Sequence, residues 1–497
     1  MRKFGILAFL AMLAMNAVTA EAAEKDSFYW LGQINKATAV INTQQGLLTK
    51  EQGQGFAKSI AQVLQDGDNG GARPNLVITF EPLLIKAYGS EEITMLHAGR
   101  SSQDMLSTVN FAMSREQALE LAAALDDMQT TLLKLAAQQQ ATIIPNYTNG
   151  VAAQPNSLGH YLLGYAYAFG RDAQRLQQYY GRLNRSPMGA TVLNGTGWPL
   201  DRDRMANYLG FDSIAYNTYD AGQIYTSENA ADAAAITSNI ALHIGSFIEE
   251  IMQQYAQPRP WIILREGGGN TYVSSAMPQK RNPGILNNAR RDASMLLGDG
   301  TMVLFRAHNI PAGMPDGRTG AETLLKDAAK LVRDFDHILQ ALVIDPERSL
   351  AELNLDWTCS QEIADLMMRK YQIPFRTGHH FASEIVTYAR KNNIPPSDFS
   401  YEEAQKIYLQ LAAKDKSLPA MLPLTRAEFK AALDPAAIVA ARAVKGGPQP
   451  TEMAKMLQQC DKELQRNKDW TDAAVKRQQE AENKLNKDFA VLLNGNK

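Results

Sequence analysis

Two long stretches of the chain carry apolar residues at the spacing of one helical face, and they dictate the class of fold. Leu121, Leu125, Met128, Leu132 and Leu135 recur every three or four residues. That spacing is a single apolar seam on an α-helix. Ile236, Ile240, Ile244, Phe247 and Ile251 form a second seam, with alanines between them. Seams this long must be covered, and small alanines let a neighbouring helix come close enough to do it. Ser114, Arg115, Glu116 and Gln117 read as a capping box opening the first long helix. Pro145 reads as its end. A third long helix is expected from about Ile285 toward Phe305. Strand signals are few: Leu76–Phe80 and Trp261–Leu264 fit either a strand or a buried helical piece. The tail from about Asp469 to Lys497 is charged and helix-prone, and reads as a solvated terminal helix. The expected class is all-α, with a central long-helix bundle.

At 497 residues the chain has room for two or three domains with ample core. Residues 1–22 read as a secretory signal peptide. Met1-Arg2-Lys3 precedes an apolar run from Phe4 to about Met15, and Ala20-Glu21-Ala22 supplies small residues for cleavage. The run is too short for a bilayer span, and no later segment is long and apolar enough for one. A soluble exported protein, periplasmic in location, is expected. The formal net charge is −2, with both signs spread throughout and no basic stripe for nucleic acid. Cys359 and Cys460 are too few for a disulfide framework, and their pairing is left open. No Cys/His spacing reads as a metal site, and no cofactor is implied.

The chemistry concentrates between residues 267 and 283. Gly267-Gly268-Gly269 leads into Ser274-Ser275-Ala276-Met277-Pro278-Gln279-Lys280-Arg281-Asn282-Pro283. A serine and a lysine six residues apart follow a flexible start, and a helix can begin near Pro283. This suits a mobile loop that carries a reactive hydroxyl over a bound anion. It equally describes a Ser/Gly loop that only precedes a helix.

Two further segments shift the balance between these readings. Leu96-His97-Ala98-Gly99-Arg100-Ser101 runs into Ser102-Gln103-Asp104, and Ile144-Pro145-Asn146-Tyr147-Thr148 runs into Asn149, then Ala153-Gln154-Pro155. With the serine loop they resemble the three signature regions of the aspartase/fumarase superfamily, and within it argininosuccinate lyase. Gly195–Arg202, Leu209-Gly210-Phe211, Pro374-Phe375-Arg376 with His379-His380, Leu433-Asp434-Pro435 and Ala440-Ala441-Arg442 extend the likeness over nearly the whole chain.

The resemblance implies a three-domain fumarase/aspartase-like fold: 23–108 as an N-terminal helical domain, 109–355 as the central bundle and 356–497 as a C-terminal helical domain. It implies a homotetramer whose sites each draw on three subunits. It implies a carbon–nitrogen lyase that takes a proton from the carbon next to a carboxylate and expels an amine, leaving fumarate. Ser274 aligns with the catalytic base and Lys280 with the lysine that supports it. Ser101, Ser102, Gln103, Thr148, Asn149, Asn282 and Asn287 take the substrate-binding positions, for a small-molecule carboxylate.

The chain departs from the family pattern at several of these. Asn149 stands where the family has histidine, and Asn287 where it has the glutamate paired with that histidine. Two amides can bond to each other and position a ligand, but cannot exchange a proton near neutral pH. Ser102 and Gln103 replace an Arg-Asn pair, Met314 a frequent tyrosine, and Val273 a glycine. The pocket has lost cationic and acid–base character while the serine loop is intact. Two further readings stand beside the lyase: a catalytically altered or inactive member acting as a periplasmic binding or structural protein, and a cycloisomerase variant. His97 and Arg100 either line the site or serve the fold. His160, His243, His379 and His380 read as packed or structural residues.

Overall fold

The computed structural model describes residues 25–314, 319–416 and 418–495. The expected signal segment, 1–22, lies outside them. The chain opens with α1 (Ser27–Gln44), α2 (Lys50–Asp68), α3 (Val77–Tyr88) and a 3₁₀ turn, Glu91–His97. Then come α4 (Ser102–Gln138), the hairpin β1 (Ile143–Thr148) and β2 (Val151–Ser157), and α5 (Leu158–Leu183). β3 (Arg185–Ser186), α6 (Arg202–Tyr208), β4 (Ser213–Ile214) and a π-helical turn, Asp220–Ile224, lead into α7 (Tyr225–Tyr255). β5 (Ile262–Leu264), β6 (Tyr272–Val273) and β7 (Arg281–Asn282) precede α8 (Gly284–Ala307) and α9 (Ala321–Ala341). After β8 (Leu342–Ile344) follow α10 (Pro346–Leu355), α11 (Ser360–Tyr371), α12 (Phe375–Lys391), α13 (Tyr401–Lys414), α14 (Arg426–Ala431), α15 (Pro435–Ala440) and α16 (Pro450–Asn494).

The fold is mostly α, as the seams require. α4, α5, α7, α8 and α9 pack side by side as the bundle. Leu121, Leu125, Met128 and Leu132 are fully buried, and so are Ile240, Ile244 and Phe247. Buried Ala230, Ala233, Ala234 and Ala241 supply the close contacts of α7. The few strands form two-stranded ladders: β1 with β2, β5 with β8 and β6 with β7 antiparallel, β3 with β4 parallel. Trp261–Leu264 therefore contributes a strand, whereas Val77–Phe80 begins a helix.

Three local expectations are corrected. The first long helix starts at Ser102, not near Ser114. Its capping box is Ser101 with Asp104, because a side chain that answers its own N-cap amide wins over one in mid-helix. Arg115 is instead fully buried: it donates to Asn184 Oδ1 and the Gly210 and Leu209 carbonyls, and stacks on Phe211 at 3.6 Å. That helix ends at Gln138, and Pro145 lies within β1. The tail is not merely solvated. It is the second half of the 45-residue α16, whose Ala474, Leu485 and Phe489 join the main core.

Two large cores result. The first large core takes residues from α1 through β8 together with α16, and the second runs from Trp357 to Leu433. A division between 108 and 109 falls inside α4, and α16 returns to the first core. Cys359 caps α11 and Cys460 lies in α16, both buried and unpaired. Burial pushes their thiols up to about 12 and about 11.

Candidate active site

Three neighbouring glycines, Gly267, Gly268 and Gly269, all adopt positive φ. Such a run is nearly closed to residues with a Cβ. It turns the chain from β5 into a short hairpin, where Tyr272 pairs with Asn282 and Val273 with Arg281. The pairing continues one step beyond the strands, since the Ser274 N–H donates to the Lys280 carbonyl at 3.1 Å. Alternation along a hairpin then puts Ser274, Lys280 and Asn282 on one face. Arg281 takes the other and pairs with Glu266 at 2.9 Å. Ser274 Oγ accepts from the Ala276 and Met277 N–H groups, both at 3.3 Å. Two backbone donors on one hydroxyl oxygen favour its charged form.

The base of this loop is tied to the bundle through Asn270, which sequence reading did not single out. Its side chain is buried, donates to the Arg265 carbonyl at 3.1 Å and meets His337 Nε2 at 2.9 Å. Its carbonyl accepts from Ile285 at the start of α8. Asn287 lies one turn into that helix, half-buried, its N–H donating to Pro283.

Ser101, Ser102 and Gln103 form the start of α4. Ser101 Oγ accepts from the Val192 N–H at 3.2 Å, and Gln103 Nε2 donates to the Gly222 carbonyl at 3.1 Å. The group that organises this corner is Asp104, also missed. Its carboxylate accepts from Ser101 N at 2.8 Å, Gly189 N at 3.0 Å and Thr191 N at 3.1 Å. Burial pushes its pKa up, while those three amides pull it back. The sequence signal was Ser-x-x-Asp, a capping-box pattern. Arg100 serves the fold: it is buried, donates to Asn35 Oδ1 and Thr38 Oγ1, and burial lowers its pKa to about 10. His97 pairs with Glu81 at 3.0 Å.

Thr148 and Asn149 sit at the tip of the β1–β2 hairpin. Thr148 pairs with Val151 across a two-residue loop in which Asn149 (φ 53°) and Gly150 (φ 76°) both adopt positive φ. This is the Asn-Gly type I′ turn, a signal present in the sequence and not read there. Just below, the Tyr147 hydroxyl donates to Glu352 of α10 and accepts from Trp261 Nε1 at 3.1 Å. Burial first, then Glu352, pushes Tyr147 up to about 12.

The hairpin thus brings Ser274, Lys280 and Asn282 together, with Asn287 just beyond. Ser101–Gln103 are bonded to the 189–192 loop and the π-turn, and Thr148–Asn149 sit above α10. Three further histidines make contacts within the fold. His160 meets the Gly446 carbonyl at 3.0 Å, His243 meets buried Asp172 at 2.7 Å, and His379 lies against Phe375.

Residues 14–298 match the Lyase family model, and residues 358–440 match the argininosuccinate lyase C-terminal model. The argininosuccinate lyase of Methanoculleus marisnigri is 30% identical over 79% of this chain and 77% of its own. That of Methanocaldococcus jannaschii is 28% identical over 92% and 91%. Among solved structures, an EDDS lyase variant with bound fumarate matches at TM-score 0.85 and 25% identity, covering 94% of this chain and 92% of that one. The class II fumarase of Schistosoma mansoni shares the fold at TM-score 0.64 and 15% identity, over 83% and 90%. With its signature segments built as described, this chain is a lyase-family protein and belongs to the aspartase/fumarase superfamily, on its argininosuccinate-lyase-like side.

Proposed function

We propose that the protein cleaves a C–N bond in an N-substituted aspartate by β-elimination, releasing fumarate and an amine. The observation that carries this is the Ser274 oxygen with its two backbone N–H donors and Lys280 on the same face of the hairpin. In this reading Ser274 takes the proton from the carbon next to the carboxylate. Lys280 and the loop amides offset the charge that develops. Thr148, Asn149, Gln103, Asn282 and Asn287 orient the substrate. The three segments have separate surroundings within one chain. This fits a homotetramer in which each site is completed by neighbouring copies.

The N-terminal pattern of Met1-Arg2-Lys3, an apolar run and Ala20-Glu21-Ala22 supports export to the periplasm, with a mature chain beginning after about Ala20 to Ala23. An exported lyase has a substrate other than a cytoplasmic biosynthetic intermediate. The purified mature protein should release fumarate, followed by its ultraviolet absorbance, from one or more N-substituted aspartates. No release from argininosuccinate and a broad set of N-alkyl aspartates would overturn the reading. A monomer by light scattering at micromolar concentration would overturn the shared sites. A second reading is favoured by Asn149 and Asn287, which cannot act as a proton-exchanging pair: a binding protein that holds the dicarboxylate without turnover. Binding without fumarate release distinguishes it.

A further inference from the structure

Arg100 carries a charge into the interior behind the start of α4, where it is 8% exposed. Its Nη1 donates to Asn35 Oδ1 at 3.0 Å and to Thr38 Oγ1 at 3.1 Å, both neutral. Its Nε is buried and, among the described residues, meets no acceptor. Asn42, 3% exposed, is in the same state: its Nδ2 is buried without an acceptor. Asn35, Thr38 and Asn42 are three and four residues apart along α1, so they share the helix face turned to the arginine. A buried donor without a partner costs stability, and a charged one costs most.

Arg100, Thr38 and Asn42 line one cavity, together with Ile41, Gly189 and Arg202. It holds about 20 Å³, room for a particle the size of a water molecule or a chloride ion. Arg202 donates to the carbonyls of Met188, Ala215 and Tyr216. Asp201 also lines the cavity, and caps α6 by accepting from the Arg204 N–H at 2.9 Å. Asp104 and Glu81 attract Arg100 through space but bond elsewhere, Asp104 to backbone N–H groups and Glu81 to His97. Burial lowers the pKa of both arginines, as expected of charges set among neutral partners.

We propose that this cavity is a binding site for a small monovalent anion of chloride size, held by Arg100 Nε and Asn42 Nδ2. Both orphaned groups are donors, so the demand is for an acceptor. A water molecule would accept from both, but brings two hydrogens that need acceptors of their own. A halide brings none, and offsets the guanidinium charge where the low dielectric makes that offset count. The ion braces the corner from which the first signature segment starts. Arg100 precedes the Ser101 cap of α4. The Gly99 carbonyl accepts from Oγ1 of Thr191 at 2.7 Å, and Thr191 (φ 46°) and Val192 (φ 61°) are both in the left-handed region. The site stands whether or not the protein is a lyase.

The test follows thermal unfolding of the intact protein in sodium chloride and in sodium gluconate at equal ionic strength, gluconate being too large for the cavity. The midpoint should rise with chloride, saturably, by about 1–3 °C, and stay level in gluconate. Asn42→Asp sets a carboxylate of the same shape beside Arg100. It should raise the midpoint in gluconate and remove most of the chloride effect. In crystals grown with bromide, an anomalous-scattering peak should lie within hydrogen-bonding reach of Arg100 Nε and Asn42 Nδ2. Equal midpoints in the two salts, with no bromide peak, would mean that water fills the cavity. A chloride effect without that peak, or one that persists in full in Asn42→Asp, would put the ion elsewhere. A peak with no shift in midpoint would be an adventitious ion only. Each of these overturns the proposal, and if Asn42→Asp does not fold, the salt comparison and the bromide map on the parent protein decide it.

Discussion

Ser274 and Lys280 face each other across the β6–β7 hairpin, the serine N–H donating to the lysine carbonyl at 3.1 Å. The pairing makes the six-residue interval in the sequence meaningful: five residues form the loop, and the two side chains emerge on one face. Ser274→Ala removes the proposed base but neither strand of the hairpin. Fumarate release should fall about a hundredfold or more, with the thermal midpoint within about a degree of the parent. Turnover that survives the change excludes the serine-loop mechanism.

Asp104 holds three segments at once: the cap of α4, Gly189 and the strained Thr191. Asp104→Ala leaves three backbone N–H groups without their acceptor and releases the left-handed residues. It should cost about 3 kcal/mol or more in urea unfolding. Asp104→Asn keeps one acceptor oxygen and should cost less. A loss below 1 kcal/mol for the alanine variant would mean that the 189–192 loop is held by other contacts.

Asp126 gives the fold a pH dependence. Burial in the contact between α4 and α16 raises its carboxyl to about 6, although Thr471 Oγ1 donates to it at 2.9 Å. Its value in the unfolded chain is about 3.9. Between these limits the folded state holds more protons at this group, so its contribution to stability is most favourable below about pH 4 and falls as pH rises from about 4 to about 6. Asp126→Asn should therefore stabilise the protein at pH 8, by about 1 kcal/mol after allowance for solvent screening. The gain should vanish near pH 4. Thermal unfolding at both pH values reads this directly, and an equal gain at both would show that the charge is not the cause.

The bundle was legible because periodicity reports burial directly: the residues on both seams that define the helices are the ones found inside. Helix boundaries were less legible. Ser114 with Gln117 and Ser101 with Asp104 are alike as local patterns, and only the surroundings of the helix decide which one caps it. The fate of the C-terminal tail was hidden for a related reason. Ala474, Leu485 and Phe489 are too sparse among charges to mark a buried face, and long-range docking on the N-terminal helices makes it one. At the candidate site, motif likeness pointed to the serine loop and the start of α4. It missed the groups that hold them, Asn270 with His337 and Asp104 with Thr191, because those act through backbone amides and carbonyls that any sequence supplies. Asn149 was read through its family position alone, and the turn that also explains it went unread.

That double explanation sets the last prediction. If Asn149 is there only for its positive φ, Asn149→Gly should be nearly neutral and Asn149→His should cost a few tenths to about 1 kcal/mol through the turn, whatever stands at 287. If Asn149 and Asn287 also act as one replaced unit across neighbouring copies, the partner matters. Asn149→His alone introduces an imidazole without its carboxylate, and Asn287→Glu alone a carboxylate without its imidazole. The double change should then differ from the sum of the singles by about 0.5 kcal/mol or more in stability, or by several-fold in fumarate release. Both singles and the double are measured by thermal unfolding and by fumarate release from argininosuccinate and N-benzyl-aspartate. Strict additivity in both measurements would leave Asn149 a turn residue and nothing more.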